Sequence, residues 1–192
     1  MQGDRMDYAV LVNKDNIIDK KTIDEFKKVK TLNIYGEEVL VEENTLKNFT
    51  KLKEELEKEN IFIQIDSAYR SLEEQNKIIE EFTYKYGKEY TMKTVAKVGT
   101  SEHHTGLALD LCLIVDGIKI IENEDLIKYE EIWKIIHKKI HKYGFILRYQ
   151  KGKENITGYS YEPWHIRYVG NIAKNIYENN LSLEEYKKRI ND

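Results

Sequence analysis

Three short blocks of this chain carry side chains of complementary chemistry. They are Ser67-Ala68-Tyr69-Arg70-Ser71, the ten residues from Ser101 to Asp110 (Ser-Glu-His-His-Thr-Gly-Leu-Ala-Leu-Asp), and Glu162-Pro163-Trp164-His165. His103, Asp110 and His165 offer two imidazoles and one carboxylate. A hydrolytic zinc takes three such protein ligands and keeps its fourth position for water. Glu162 stands three residues before the last ligand, where a general base for that water would be wanted. Arg70 offers a guanidinium fork suited to the carboxylate at the end of a substrate. The set predicts one Zn2+ ion and metal-assisted hydrolysis.

The spacing supports convergence. Gly106 lies between His103 and Asp110, and glycine allows the turn that brings a loop histidine and a strand aspartate together. Asp110 stands between Leu109 and Leu111, and a carboxylate in an apolar strand is costly unless it is paired or bound to a metal. Taken singly, each ligand has an ordinary reading: His103 a solvated loop residue, Asp110 a strand-end carboxylate, His165 a satisfied core histidine. Taken together they require three coincidences. Glu162 and His165 sit in a segment rich in strand formers, where residues three apart face opposite ways. Either the chain bends near Pro163 or Glu162 approaches from outside the ligand plane. His137 and His141, four apart, form a rival pair, but Lys138 stands where a zincin helix has glutamate. Lys138, Lys139 and Lys142 would also repel a dication. The pair reads as polar histidines at a helix C-terminus that favours positive charge.

The elements that must position these residues can be read from periodicity. Leu46, Phe49, Leu52 and Leu56 predict a helix over 45–58. Ile61 to Ile65 predicts a strand that delivers Ser67 to Arg70 at its end. Ser71 and Glu74 form a capping box for a helix from Leu72 to Tyr86, stopped by Gly87. Leu107 to Val115 reads as a core strand, followed by the hairpin signal Asp116-Gly117. Asp125 to Tyr143 reads as one long helix with Trp133, Ile136 and Ile140 on one face, ended by Gly144. Phe145 to Leu147 and Tyr159 to Val169 read as strands, and Ser182 with Glu185 opens a last helix. The order lacks a steady strand–helix alternation, so the expected class is α+β: a single domain with a small, mainly antiparallel sheet flanked by helices and a zinc site in a cleft.

Composition narrows the function classes. The chain has 192 residues, 41% hydrophobic and 34% charged, with a net charge of −3. That suits one domain with a real core and excludes a strongly basic nucleic-acid surface. No apolar run approaches the ~20 residues of a membrane span. The start has no hydrophobic leader core, so the expected location is cytoplasmic, or extracytoplasmic if a leader or anchor has been removed. The single cysteine, Cys112, excludes an intrachain disulfide and reads as a small apolar strand residue.

The pattern Ser101-x-His103-x-x-Gly106-x-Ala108-x-Asp110, joined to Glu162-x-Trp164-His165, resembles the VanY-type zinc D-alanyl-D-alanine carboxypeptidases and dipeptidases. Ser67-x-Tyr69-Arg70-Ser71 with Gln75, the run Gly144 to Tyr149, and the run Gly158 to Gly170 are similar to the same family, as is Leu11 to Lys14. The resemblance extends over about residues 10–187. It implies a single zinc peptidase domain across 1–192, with His103, Asp110 and His165 on zinc and Glu162 as general base. It implies Arg70, Gln75 and Ser101 at the substrate's terminal carboxylate and backbone, with Trp164 lining the pocket. The implied substrate is a peptidoglycan stem peptide or the D-Ala-D-Ala dipeptide, and the implied product D-alanine. Alternatives are an L,D-carboxypeptidase, an endolysin-type endopeptidase, or a non-catalytic zinc-binding module, which would have no need of Glu162. Departures are Ala68 for the usual Gly, Val98 for Pro, His104 for Gln and Gln150 for Pro. His104, beside a ligand, is the one that could alter the pocket.

Overall fold

Leucine stands at every second position from 109 to 113, and that alternation sets the architecture. Leu109, Leu111 and Leu113 enter the core from one face of a strand, and Ala108, Asp110 and Cys112 lie on the other. The computed structural model describes residues 7–191. The chain order is α1 (Lys20–Glu25), β1 (Lys28–Leu32), β2 (Glu38–Glu42), α2 (Glu43–Glu57), β3 (Phe62–Ser67), α3 (Leu72–Tyr86) and α4 (Lys88–Thr94). There follow β4 (Ala108–Val115), β5 (Ile118–Ile120), α5 (Asn123–Leu126), α6 (Glu130–Ile140) and β6 (Phe145–Leu147). The chain ends with α7 (Glu154–Thr157), β7 (His165–Tyr168), α8 (Ala173–Glu178) and α9 (Leu183–Asn191).

Strand β4 is the centre of a five-stranded antiparallel sheet ordered β3-β4-β7-β6. One edge of β4 pairs with β3; the other is shared, β7 taking residues 108–110 and β5 residues 113–115. β1 and β2 form a separate hairpin. The leucine face of β4 packs with Ile63 and Ile65 of β3 against Phe49, Leu52 and Leu56 of α2 and Trp133, Ile136 and Ile140 of α6. A second cluster joins Ile146 of β6 to Ala173, Ile176 and Leu183 near the C-terminus. The fold is the expected single-domain α+β arrangement, and its other sheet face is left for the site. Among the described residues no helix is long and apolar enough to cross a membrane.

Local signals held where they were self-contained. The capping box of α3 is formed, with Ser71 Oγ accepting from Glu74 N and Glu74 accepting from Ser71 N. The amide of Ser182 donates to Glu185 (2.7 Å) and that of Glu185 to Ser182 Oγ (3.2 Å) ahead of α9. Asp116 and Gly117 take φ of 51° and 78° and close the β4–β5 hairpin. Cys112 is buried in β4.

Three expectations are corrected. The helix expected over 125–143 is interrupted between α5 and α6 and closes with a 3-10 turn at His141–Tyr143. The carbonyl of Leu126 accepts the Trp133 indole N–H (2.8 Å) and the Tyr129 amide (3.2 Å), so it is taken up before a regular helical bond to Glu130 can form. The strand expected over Tyr159–Val169 is ordered as β7 at His165–Tyr168 alone, because the chain turns at Pro163. The charged form of His137 and of His141 is disfavoured in spite of the helix end. Burial pushes His137 down to about 4 against its hydrogen bond to the Pro163 carbonyl, and burial and Lys142 lower His141, which stacks on Tyr177 at 4.0 Å. The β1–β2 hairpin and α4 lay outside the elements that periodicity marked.

Trp133→Phe keeps most of the apolar volume and deletes the hydrogen bond to Leu126. Urea unfolding should show a loss of about 1–3 kcal/mol.

Candidate metal centre and its cleft

Antiparallel pairing places Asp110 of β4 directly opposite His165 of β7. Opposed residues on antiparallel strands share a face, and here Asp110 Oδ1 lies 2.9 Å from His165 Nδ1. His103 arrives from outside the sheet, on a 3-10 turn at Glu102–Thr105 that ends at Gly106 with φ of 74°. A Cβ at Gly106 would lie 3.1 Å from the amide nitrogen of Glu42, so the turn needs glycine for its backbone angle and for its close approach to β2. His103 Nε2 then sits 3.2 Å from Asp110 Oδ2. His103 Nδ1 lies 2.6 Å from the Ala68 carbonyl; a carbonyl only accepts, so Nδ1 carries the proton and Nε2 turns its lone pair toward the cluster. One ligand atom from each of His103, Asp110 and His165 lies within 4.8 Å of the others.

The cluster requires positive charge. Burial raises the Asp110 carboxyl, but His103 and His165 outweigh it and hold the group well below the usual carboxylate range. Burial opposes the His165 imidazolium, yet its hydrogen bond to Asp110 and the nearby carboxylate of Glu102 lift it to about 10. Neutral imidazole lone pairs facing a carboxylate repel, and a cation between them removes that repulsion. Two imidazole nitrogens and a carboxylate oxygen are a donor set that zinc accepts, so the residues present fit the metal.

Glu162 reaches the cluster because the chain bends. The His165 amide donates to the Glu162 carbonyl (3.2 Å), closing a turn around Pro163 and Trp164. Of the two routes open to Glu162, the bend at Pro163 is the one taken. Its Oε2 lies 3.8 Å from His165 Nδ1. Burial, opposed by His165 and aided by Asp110, raises the Glu162 carboxyl to about 7. The turn is braced from behind, since His137 Nε2–H donates to the Pro163 carbonyl (2.9 Å). Trp164 packs in the main core, and its carbonyl accepts from Leu111 N (3.1 Å).

Arg70 follows closely on the end of β3. Its amide donates to the His103 carbonyl (3.1 Å) and its Nη1 to Gln75 Oε1 (3.0 Å). Gln75 is buried on α3, and its Nε2 donates to the Ala96 carbonyl (2.7 Å). Both ends of the Gln75 amide are thus engaged, Oε1 by Arg70 and Nε2 by Ala96. His104 is fully buried; Nδ1–H donates to the Arg70 carbonyl (2.7 Å) and Nε2 accepts from the Gly99 amide (3.1 Å). Burial keeps it neutral, the form that can do both. Ser101 is buried at the start of the 3-10 turn, and its carbonyl accepts from the His104 amide (3.3 Å).

Residue patterns did not mark Glu102, Arg148, Arg167 or Tyr149. Glu102 is buried behind His165 between two arginines, and the Tyr149 ring lies 4.7 Å from the His165 ring. The available signal was the one that exposed Asp110: Arg148 between Leu147 and Tyr149, and Arg167 between Ile166 and Tyr168, are charges inside apolar strands.

The family described as VanY, D-alanyl-D-alanine carboxypeptidase, matches residues 38–171. The chain belongs to this family. A VanY-family relative from Enterococcus gallinarum, the bifunctional D-Ala-D-Ala dipeptidase and carboxypeptidase VanXYC, is 40% identical over 129 residues, covering 65% of this chain and 65% of its own length. The solved LD-carboxypeptidase LdcB superposes with a TM-score of 0.82 at 30% identity, covering 95% of this chain and 86% of that one. The D,D-pentapeptidase VanY of a VanB-type vancomycin resistance cassette, solved with Zn(II), gives a TM-score of 0.74 at 30% identity, covering 95% and 99%. The chain spans 48% and 65% of the lengths of two curated relatives that it matches.

Two outcomes follow from this geometry. An amide, like a neutral imidazole, can donate once and accept once, so His104→Gln should keep KM within about threefold, whereas His104→Leu strands the Gly99 amide and the Arg70 carbonyl and should cost about 1–3 kcal/mol of stability by urea unfolding. In metal-free protein the raised Glu162 pKa favours the protonated group. The stability that this contributes is complete below the unfolded value near 4.5 and is lost as pH rises through about 7. The stability of Glu162→Gln relative to the parent should therefore grow by up to about 3 kcal/mol between about pH 4 and pH 8, read by urea unfolding in chelator.

Proposed function

We propose that this chain is a zinc-dependent D,D-peptidase that hydrolyses the bond between the two D-alanines of peptidoglycan precursors or of free D-Ala-D-Ala, releasing D-alanine. The observation that carries this reading is Glu162, with a carboxyl raised to about 7, held 3.8 Å from His165 beside the His103–Asp110–His165 cluster. A bare binding module has no use for such a group. Family membership supplies the substrate class, and VanXYC lends its named activities on D-Ala-D-Ala.

In this reading His103 Nε2, Asp110 and His165 Nδ1 hold one zinc ion. When bound, zinc supplies Lewis acidity that lowers the pKa of a water to about 7. Glu162 takes the proton of the attacking water as it adds to the penultimate D-alanine carbonyl, then delivers that proton to the leaving amine. A carboxyl with a near-neutral pKa can perform both transfers. Arg70 grips the terminal carboxylate with two parallel hydrogen bonds and sets the scissile bond against the ligands. Gln75 keeps the guanidinium oriented, Ser101 contacts the substrate backbone, and Trp164 backs the turn that carries Glu162. The catalytic domain extends over about residues 10–187, because the Val10 carbonyl and α9 both pack onto the arginines behind the site.

The TM-score of 0.82 to LdcB favours one second reading, an L,D-carboxypeptidase. Amino-acid release should be compared on free D-Ala-D-Ala, on a pentapeptide ending in D-Ala-D-Ala, and on a tetrapeptide with one terminal D-alanine, each with and without chelator. Chelator-sensitive release from either of the first two supports D,D activity. Release from the tetrapeptide alone supports the second reading, and no release from any overturns both.

Glu162→Ala should lower kcat by about 10²–10⁴ while zinc content stays at the parent level. Arg70→Ala should lower kcat/KM by about 10- to 100-fold on free carboxylates and leave C-terminal amides almost unchanged. An equal loss on both would remove Arg70 from the carboxylate site.

A further inference from the structure

His165 has two ring nitrogens in different settings. Nδ1 faces Asp110 and Glu162. Nε2 is buried and has no hydrogen-bond partner, and 3.6 Å away lies Glu102 Oε2, equally buried and equally unpartnered. Leaving two such groups unpaired in the interior is costly, whereas a shift of a few tenths of an ångström makes a hydrogen bond between them.

Glu102 is held for that contact. Its Oε1 accepts from Arg148 Nε (2.7 Å) and Arg167 Nη1 (2.8 Å), which leaves Oε2 directed at His165. Arg148 forks onto both oxygens of Glu184 in α9 (2.9 and 2.7 Å), and Asn13 Nδ2 donates to Glu184 Oε1 (3.1 Å). Arg167 Nη2 donates to the carbonyls of Tyr8 (3.1 Å) and Val10 (2.9 Å). The side chains of Glu102, Arg148 and Arg167 are fully buried. An ion cluster this deep is a poor source of stability against a well-packed apolar core, so a role toward the site is the better account of it.

We propose that Glu102 is a positioning residue for the metal: it accepts the Nε2–H of His165, fixes that tautomer, and leaves the Nδ1 lone pair for the ion. Arg148 and Arg167 keep it anionic and aimed, and Glu184 keeps Arg148 in place. Partners of this kind behind a ligating histidine set its ring orientation and basicity, and their loss typically costs 10–100-fold in metal affinity. The inference rests on His165 being a metal ligand.

The test measures zinc affinity by chelator competition on metal-free parent, Glu102→Gln and Glu184→Gln, with circular dichroism as the check on folding. Glu102→Gln should bind zinc about 10- to 100-fold more weakly, and Glu184→Gln should fall between it and the parent. In parallel, ¹⁵N spectra of the zinc-loaded parent should show His165 protonated at Nε2 and not at Nδ1. Parent protein that binds no zinc would overturn the metal reading itself. Parent that binds zinc while a folded Glu102→Gln binds it equally well would overturn the role of Glu102 alone. If Glu102→Gln does not fold, the ¹⁵N spectrum decides: a His165 with its proton on Nδ1 rejects the proposal, and one with its proton on Nε2 supports it.

Discussion

The pairing register between β4 and β7 is the constraint on which the site depends. Asp110 faces His165, and Ala108 faces Arg167. A slip of one residue would send every side chain of one strand to the opposite face, placing the histidine in the leucine core and a core residue beside Asp110. The leucines at 109, 111 and 113 oppose that slip, because each would leave the core. The apolar alternation that drives folding is therefore also what aligns Asp110 with His165.

The rest of the cleft is arranged around that pair by loops fixed through backbone bonds. His103 comes in over Gly106 and is oriented by the Ala68 carbonyl at the end of β3. The peptide of Arg70 is gripped from both sides, its amide by the His103 carbonyl and its carbonyl by His104. Glu162 is set by a turn whose Pro163 carbonyl is anchored on α6 through His137. Three segments that carry functional side chains thus have little freedom to move independently, which is how loops come to hold a site as strands do.

Much of this was legible in the sequence. The cluster of His103, Asp110 and His165 was legible because the chemistry restricts residue types, and α3 because its caps are local. The fold class followed from the order of periodic segments. What stayed hidden depended on contacts between distant residues. The break before α6 comes from an indole seven residues away. The bend at Pro163 was one of two options until His165 N met the Glu162 carbonyl. Glu102 looked like an ordinary motif charge, because the arginines that define it lie 46 and 65 residues further along. His104, the departure beside a ligand, proved to be a brace that a glutamine amide could also provide.

The charges around the cluster form a nearly closed balance. Behind the cluster, Arg148 and Arg167 are matched by Glu102 and Glu184. In front, a dication would be matched by Asp110 and an ionised Glu162. Arg70 is left over, half-buried, with Asp110 and Glu74 as the carboxylates that favour its charge. With a dication in place, a molecule bearing a single negative charge would bring this group of charges to electroneutrality by settling against Arg70. A neutral chain end would leave that charge uncompensated, and a doubly charged one would overshoot it. Selection by valence in this way would act before any side chain of the guest is inspected.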